Sequence, residues 1–276
     1  MKLIALDLDG TLMSPDKTIS QENIHAIHEL QNSGNIVMIC SGRAPEDIKA
    51  LLNKYNLVCP VVGSNGTIVE VDNKIINNIT MDKHDVTSIA QILDDLNLPY
   101  CFYTNKGIYY PSDWLDKIKK NMEGITNQEL NRFTEKPQNS VGVNTFSNYQ
   151  SLLVDHRIEI NKLFILTFTP QVKEKLLSLL KSHSNITLTS SNALNVEIMH
   201  KDGHKGIGLR KMAEYYRIPI ENTVAIGDNF NDLPMLQCAG YAIAMDNADN
   251  EVKKICDFVT LSNSENGVAH ALRKLI

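Results

Sequence analysis

Four short stretches of the sequence hold residue types that do chemistry. The first is Asp7-Leu8-Asp9-Gly10-Thr11, at the end of an apolar run. Alternate residues of an extended chain point the same way, so Asp7 and Asp9 can face one cavity, and Gly10 permits a sharp exit. A solvated acidic turn is the plain alternative. A calcium loop fits badly, since the EF-hand pattern wants its glycine at about the sixth position and Gly10 would stand fourth. The second stretch is Ser41-Gly42-Arg43, where a hydroxyl and backbone N–H groups at a strand-to-helix turn make an anion site, or an ordinary turn. The third is Lys205-Gly206, opening a helix, where a lysine is commonly just solvated. The fourth is Gly227-Asp228-Asn229-Phe230-Asn231-Asp232. Two carboxylates and two carboxamides in six residues suit a hard, oxygen-loving cation, or an Asx-rich turn capping the next helix.

The elements that must carry these stretches are legible in the apolar pattern. Lys2 to Leu8 and Ile36 to Cys40 are short, continuously apolar strands. Between them, Ser20 caps a helix with Ile24, Ile27 and Leu30 on its inner face and Gly34 past its end. A second helix has Pro45 in its first turn and packs through Ile48, Leu51, Leu52 and Tyr55. The alternation returns near the C-terminus: strand Thr223 to Ile226, helix Asp232 to Cys238, strand Tyr241 to Met245, a helix from Asn247 or Asp249, strand Phe258 to Leu261, then a mostly helical Asn266 to Ile276. Strands apolar throughout and alternating with helices predict a parallel sheet covered on both sides. In this reading all four stretches, with Lys205 following a Val196 to Met199 strand, stand at carboxyl ends of strands in one parallel sheet and converge on one crevice. Asp7, Asp9, Asp228 and Asp232 would then place four negative charges together, which a cleft does not tolerate without a cation. Magnesium is the natural counter-charge.

The middle of the chain reads differently. A helix over Val86 to Leu96 leads to a hairpin, Tyr100 to Thr104 and Ile108 to Tyr110, turning at Asn105-Lys106-Gly107. Leu163 to Phe168 is a strand, Pro170 opens a helix carrying Leu176, Leu177 and Leu180, and Ile186 to Thr189 is strand-like. The fold class expected is α/β: a doubly wound, Rossmann-like parallel-sheet core from residues 1–81 and 190–276, with an α+β cap inserted at 82–189. Residues 115–160 yield no clear pattern.

Composition narrows the function. The chain has 27 Lys and Arg against 32 Asp and Glu, a net charge of -5, and no basic run, so nucleic acid is not an expected partner. No apolar run approaches the roughly 18 residues of a membrane helix. Acidic Asp7 and Asp9 interrupt the first apolar run, so no leader is expected, and a cytoplasmic address follows. The five cysteines are scattered, with neither zinc nor redox spacing. There is no phosphate-binding P-loop motif, and Gly206 with Gly208 make only half a dinucleotide fingerprint, Lys211 standing where a third glycine belongs. His25 and His28 read as surface or packing histidines, and Gly203 between His200 and His204 argues against a helical zinc pair. Trp114, Tyr109 and Tyr110 could line a pocket or pack a core.

Taken with Ser64-Asn65-Gly66, Asn192 to Met199, Asn231-Asp232-Leu233-Pro234-Met235, Asn247 to Thr260 and Asn266-Gly267-Val268-Ala269, the four stretches resemble the haloacid dehalogenase superfamily. Within it they are similar to the Cof-type sugar-phosphate phosphatases, over nearly the whole chain. The resemblance implies that Asp7 is a nucleophile and Asp9 the general acid and later base. It implies magnesium held by the Asp7 and Asp228 carboxylates and the Asp9 backbone carbonyl. The phosphate would be bound by the Leu8 backbone, Ser41, Gly42, Lys205 and Asn231, with Asp232 orienting Lys205 or a metal-bound water. The activity implied is hydrolysis of small phosphate monoesters, sugar phosphates or similar phosphometabolites, through a phosphoaspartate. A phosphosugar mutase or a phosphometabolite sensor would use the same pocket, although a sensor has no need of Asp9 as acid and base. Acid catalysis by Asp9 calls for a raised pKa. Neither the individual substrate nor the oligomeric state is legible.

Overall fold

The computed structural model describes residues 1–122, 142–191 and 193–275. Asn192, Ile276 and the centre of the patternless stretch therefore lie outside the described residues. The chain divides into two compact units, Met1–Asn78 with Gly203–Ile276, and Ile79–Asp202.

The first unit is built on an eight-stranded sheet. Its N-terminal strands are β1 (Leu3–Leu6), β2 (Ile36–Cys40), β3 (Val61–Gly63), β4 (Ile68–Val71) and β5 (Lys74–Asn78). After the second unit come β12 (Thr223–Gly227), β13 (Tyr241–Ala244) and β14 (Phe258–Val259). The order is β14-β13-β12-β1-β2-β3-β4-β5. From β14 to β3 every pairing is parallel, and β4 and β5 close the other edge as an antiparallel hairpin. All four side chains of β1 are fully buried, and because neighbours in a strand point to opposite faces, both faces of the sheet are covered. Helix Gln21–Asn32 packs with Gly267–Arg273, and Lys205–Tyr216 with Leu233–Cys238. Ser20 caps the first of these, its hydroxyl accepting from the Asn23 N–H at 3.2 Å. The chain winds outward from β1 in one direction and from β12 in the other. Such a reversal opens a crevice at the carboxyl ends of the two strands. Asp7 directly follows β1 and Asp228 directly follows β12.

The second unit holds β6 (Tyr100–Thr104), β7 (Gly107–Pro111), β8 (Val143–Phe146), β9 (Ile160–Leu166), β10 (Ile186–Thr189) and β11 (Asn195–His200). They form a sheet in the order β10-β11-β9-β6-β7-β8, antiparallel except between β7 and β8. Val86, Ile89 and Leu93 of helix Lys83–Asp95 and Leu176 and Leu180 of helix Pro170–Leu180 share a core with Tyr100, Phe102, Leu163 and Ile165.

Two expectations about layout change. The strand ahead of Lys205 is β11, which pairs antiparallel with β9 and β10 and belongs to the second unit. Lys205 therefore does not end a strand of the parallel sheet; it opens the helix with which the chain re-enters the first unit. The unit boundary accordingly falls between Asp202 and Gly203, beyond the residue 189 expected, and its start falls at Ile79. The reason is cross-strand pairing, which an apolar run of five or six residues does not reveal. The β4–β5 hairpin escaped the pattern reading too, although its two-residue turn, Asp72-Asn73, has φ of 49° and 62°, the conformation that tight hairpins favour.

Candidate active site

Three of the four acidic side chains meet. The Asp7 N–H donates to the Ile226 carbonyl at 3.0 Å, so the chain leaving β1 stays tied to β12. Lys205 is the first residue of its helix, whose start is capped by His204 Nδ1 accepting from the Ile207 N–H at 3.3 Å. Its side chain is fully buried, and Nζ donates to Asp7 Oδ1 at 2.5 Å and to Asp232 Oδ1 at 2.6 Å. The other Asp232 oxygen, Oδ2, accepts from the backbone N–H groups of Asp228 and Asn229 at 2.9 and 3.0 Å. Asp232 thus fixes the lysine and closes its own loop. Asp228 Oδ1 accepts from Thr11 Oγ1 at 2.7 Å. Gly10, with φ of +91°, lies so close that a Cβ there would stand 2.3 Å from Asp228 Oδ2, which is why this turn has no room for a side chain.

Carboxylate oxygens of Asp7, Asp228 and Asp232 lie within 4.8 Å of one another. Lys205 is the one cation in contact with them among the described residues, so negative charge is in excess. Burial, with Asp232 and Asp228 adding repulsion, raises the Asp7 pKa well above the carboxylate range against the pull of Lys205. Burial and then Asp232 push Asp228 up to about 6. Burial alone would discharge Lys205, but Asp232 and Asp7 outweigh it and hold the ammonium. A hard divalent cation fits this donor set: it needs carboxylate oxygens, and its charge would remove the repulsion that these shifts record. Asp7 and Asp228 are the carboxylates suited to it, because both oxygens of Asp232 are already engaged.

Asp9 stands apart, contrary to the expectation of four converging carboxylates. β1 ends at Leu6, so strand alternation no longer governs where residue 9 points. Its carboxylate accepts from Arg43 Nε and Nη2, each at 2.7 Å, and from Lys17 Nζ at 3.4 Å. Burial would raise its pKa, but the Arg43 fork and Lys17 hold it at about 2, the reverse of the raised value that acid catalysis calls for.

The remaining expected residues surround this centre. Leu8 is fully buried, and its carbonyl accepts from the Thr11 and Met13 N–H groups at 3.3 and 2.9 Å, which shapes the turn. Ser41 follows β2 and donates its N–H to Val62 at 2.9 Å; its Oγ accepts from the Arg43 N–H at 3.3 Å across Gly42. Asn231 Nδ2 donates to Asn65 Oδ1 at 3.4 Å. Arg43, Thr11, Lys17 and Asn65 were given no role by the sequence. Arg43 and Thr11 lie inside two of the four stretches and Asn65 inside the Ser64-Asn65-Gly66 stretch, but no signal in the sequence names their partners. In the second unit Trp114 packs edge-on against Tyr110, ring centroids 5.0 Å apart. No helix among the described residues is long and apolar enough to cross a membrane.

Residues 4–272 match the haloacid dehalogenase-like hydrolase family. The chain belongs to that family. It is 34% identical to 5-amino-6-(5-phospho-D-ribitylamino)uracil phosphatase YwtE of Bacillus subtilis, an alignment covering 100% of this chain and 98% of the other. It is 32% identical to phosphatase YwpJ of the same organism, covering all of both chains. Among solved structures, a haloacid dehalogenase-like hydrolase from B. subtilis superposes with a TM-score of 0.89 at 30% identity, again over 100% of each chain. The family member described here is accordingly an enzyme, a phosphatase with the α/β core that its sequence implies.

Proposed function

We propose that this chain hydrolyses small phosphate monoesters with magnesium, through a transient phosphoaspartate on Asp7. One observation carries the reading: a fully buried lysine holds one oxygen of Asp7 at 2.5 Å inside a cluster where carboxylates outnumber cations. That is the setting of an oriented nucleophile beside an anion site awaiting further positive charge. A carboxylate can serve as covalent catalyst, replacing one hard displacement with two easier ones.

In the first step an Asp7 oxygen forms a bond to phosphorus as the bond to the leaving oxygen breaks, and Asp9 delivers a proton to that oxygen. In the second, water attacks phosphorus, Asp9 takes its proton, and phosphate leaves with the Asp7 carboxylate restored. Magnesium, held by Asp7, Asp228 and the Asp9 backbone carbonyl, would supply the charge that lets an anion approach a phosphate dianion. Lys205 adds fixed positive charge, while Ser41, Asn231 and the backbone of Leu8 and Gly42 would hold phosphate oxygens. Asp9 must leave the Arg43 fork before it can carry a proton. Unit 79–202 would act as the cap that selects the leaving group, and the scattered, free cysteines suit a cytoplasmic setting.

Because a relative is named for a phosphorylated ribitylaminouracil, that compound joins hexose phosphates in the test panel. The decisive measurement is acid-quenched turnover with magnesium, followed by mass spectrometry of the peptide holding Asp7. A phosphoryl group on Asp7, absent from Asp7→Asn, is the expected result. Steady phosphate release by Asp7→Asn would defeat the reading.

A further inference from the structure

Between β3 and β4 the chain runs through three successive left-handed residues, Ser64, Asn65 and Gly66, with φ of 49°, 58° and 99°. Two of them carry side chains, and Ser64 and Asn65 are only 1% and 2% exposed. Ser64 Oγ is buried without a hydrogen-bond partner among the described residues. Such a backbone is costly, and it persists only where surrounding structure dictates it.

What dictates it is contact with three of the four chemical stretches at once. The Ser64 N–H donates to the Arg43 carbonyl at 2.8 Å, and the Asn65 N–H to the Ser41 carbonyl at 3.0 Å. Gly66 lies against the entry of the Lys205 helix, where a Cβ would stand 2.2 Å from the His204 carbonyl oxygen. Asn65 Oδ1 accepts from Asn231 Nδ2 at 3.4 Å, reaching the loop between Asp228 and Asp232. The 64–66 turn is therefore the piece against which the loops bearing Ser41, Lys205 and Asn231 are set. Its backbone serves two of them, and the side chain of Asn65 serves the third.

We propose that Asn65 is a positioning residue, which orients the Asn231 carboxamide and keeps it in register with Ser41 for binding the transferred phosphoryl group. This rests on the phosphatase reading above. Asparagine suits the place because it tolerates the left-handed region and offers a side-chain acceptor, whereas glycine would supply the backbone alone.

Asn65→Gly separates the two contributions, since it keeps the backbone and deletes the acceptor. Calorimetric titration of the full chain with orthovanadate in magnesium is the measurement. One net hydrogen bond corresponds to about a two- to tenfold weaker Kd for Asn65→Gly, with little change in melting temperature. Asn231→Ala should weaken binding as well, and adding Asn65→Gly to it should change nothing more, because Asn65 acts through Asn231. Should Asn65→Gly not fold, Asn65→Ser, too short to reach Asn231, gives the same comparison. A wild-type Kd in Asn65→Gly, or losses that multiply in the double variant, would overturn the assignment while leaving the phosphatase intact. A purely structural role would lower the melting temperature and spare the Kd. Wild-type protein that fails to bind orthovanadate with magnesium would remove the phosphatase reading and this one with it.

Discussion

Arg43 holds Asp9 with both arms of its guanidinium, Nε to Oδ2 and Nη2 to Oδ1, each at 2.7 Å. This bidentate geometry is the strongest that a carboxylate and an arginine make. It keeps Asp9 ionised and turned from the Asp7–Lys205–Asp232 cluster. A carboxylate clamped at so low a pKa is a weak base as well as a spent acid, so the fork has to open for either proton transfer. Arg43 is then the residue that Asp9 must part from when a substrate needs an acid.

The same fork makes stability depend on pH. A carboxyl held at about 2, against an ordinary value near 3.9, stabilises the fold above the unfolded value. That contribution fades as pH falls from about 4 towards 2. Arg43→Met should therefore melt below wild type at neutral pH, with the gap closing over that acidic window. The effect is modest, because the Arg43 and Asp9 side chains are 32% and 41% exposed. Parallel melting curves from pH 6 to 3 in chelator check it, and a gap that widens as pH falls would contradict the assignment.

Asp228 carries the opposite sign. Its pKa, raised to about 6, means that the ionised form weakens the metal-free fold at neutral pH. Asp228→Asn keeps an oxygen to accept from Thr11 and removes the charge. It should raise the metal-free stability at pH 7 by on the order of 1 to 3 kcal/mol while abolishing stabilisation by magnesium. In wild type, magnesium affinity should fall as pH drops through 6, since a proton and a cation compete for the same oxygen. Thermal melts with and without magnesium at pH 7.5 and 5 read both effects. Activity that survives excess chelator would remove the metal from the mechanism.

Most of the core was legible because a continuously apolar strand followed by Asp or Ser-Gly has few other readings in a parallel sheet. Asp7, Asp228 and Asp232 share one site, as their places after strands of the parallel sheet suggested, whereas Lys205 joins them from the start of a helix and not from the end of a parallel strand. What stayed hidden depends on rotamers and long-range pairing. The Arg43–Asp9 fork joins residues 34 positions apart through side chains whose direction no periodicity specifies. The place of β11 is set by antiparallel partners in the second unit rather than by Lys205 just beyond it. Asn65 stands in the Ser64-Asn65-Gly66 stretch that supports the family resemblance, but nothing in the sequence pairs it with Asn231.

A buried pair in the second unit, Lys162 Nζ and Glu197 Oε2 at 3.0 Å, has side chains 1% and 4% exposed. Removing one partner takes this ion pair from a buried charge, so Glu197→Ala should cost about 3–5 kcal/mol in urea denaturation. Ser191 also loses an acceptor, since its Oγ donates to Glu197 Oε1 at 3.1 Å. The paired change Lys162→Met with Glu197→Leu should recover most of the loss, because desolvating two charges offsets much of their attraction. A double variant as unstable as Glu197→Ala would mean that the ion pair contributes net stability beyond what apolar packing supplies.

The division of labour between Asp7 and Asp9 offers the sharpest test. Asp7→Asn should be inactive in every assay, because an amide is neither a useful nucleophile nor an anionic ligand. Asp9→Asn should fail selectively. It keeps the backbone carbonyl and the shape, gives up the Arg43 ion pair, and cannot shuttle a proton. An alkyl phosphate needs an acid in the first step, since an alkoxide leaves poorly, so turnover should drop by roughly 10²–10⁴-fold. p-Nitrophenolate departs largely unaided, so with p-nitrophenyl phosphate Asp7 should still be phosphorylated while water activation stalls. The expected record is a burst of up to one nitrophenolate per enzyme followed by slow release. Phosphate on Asp7 should then be stable to acid and labile to hydroxylamine. Arg43→Met should show no such burst, because it retains the Asp9 carboxylate for the second step. Steady near-wild-type turnover by Asp9→Asn would mean that Asp9 carries no proton, and the fork would then be a structural clasp alone.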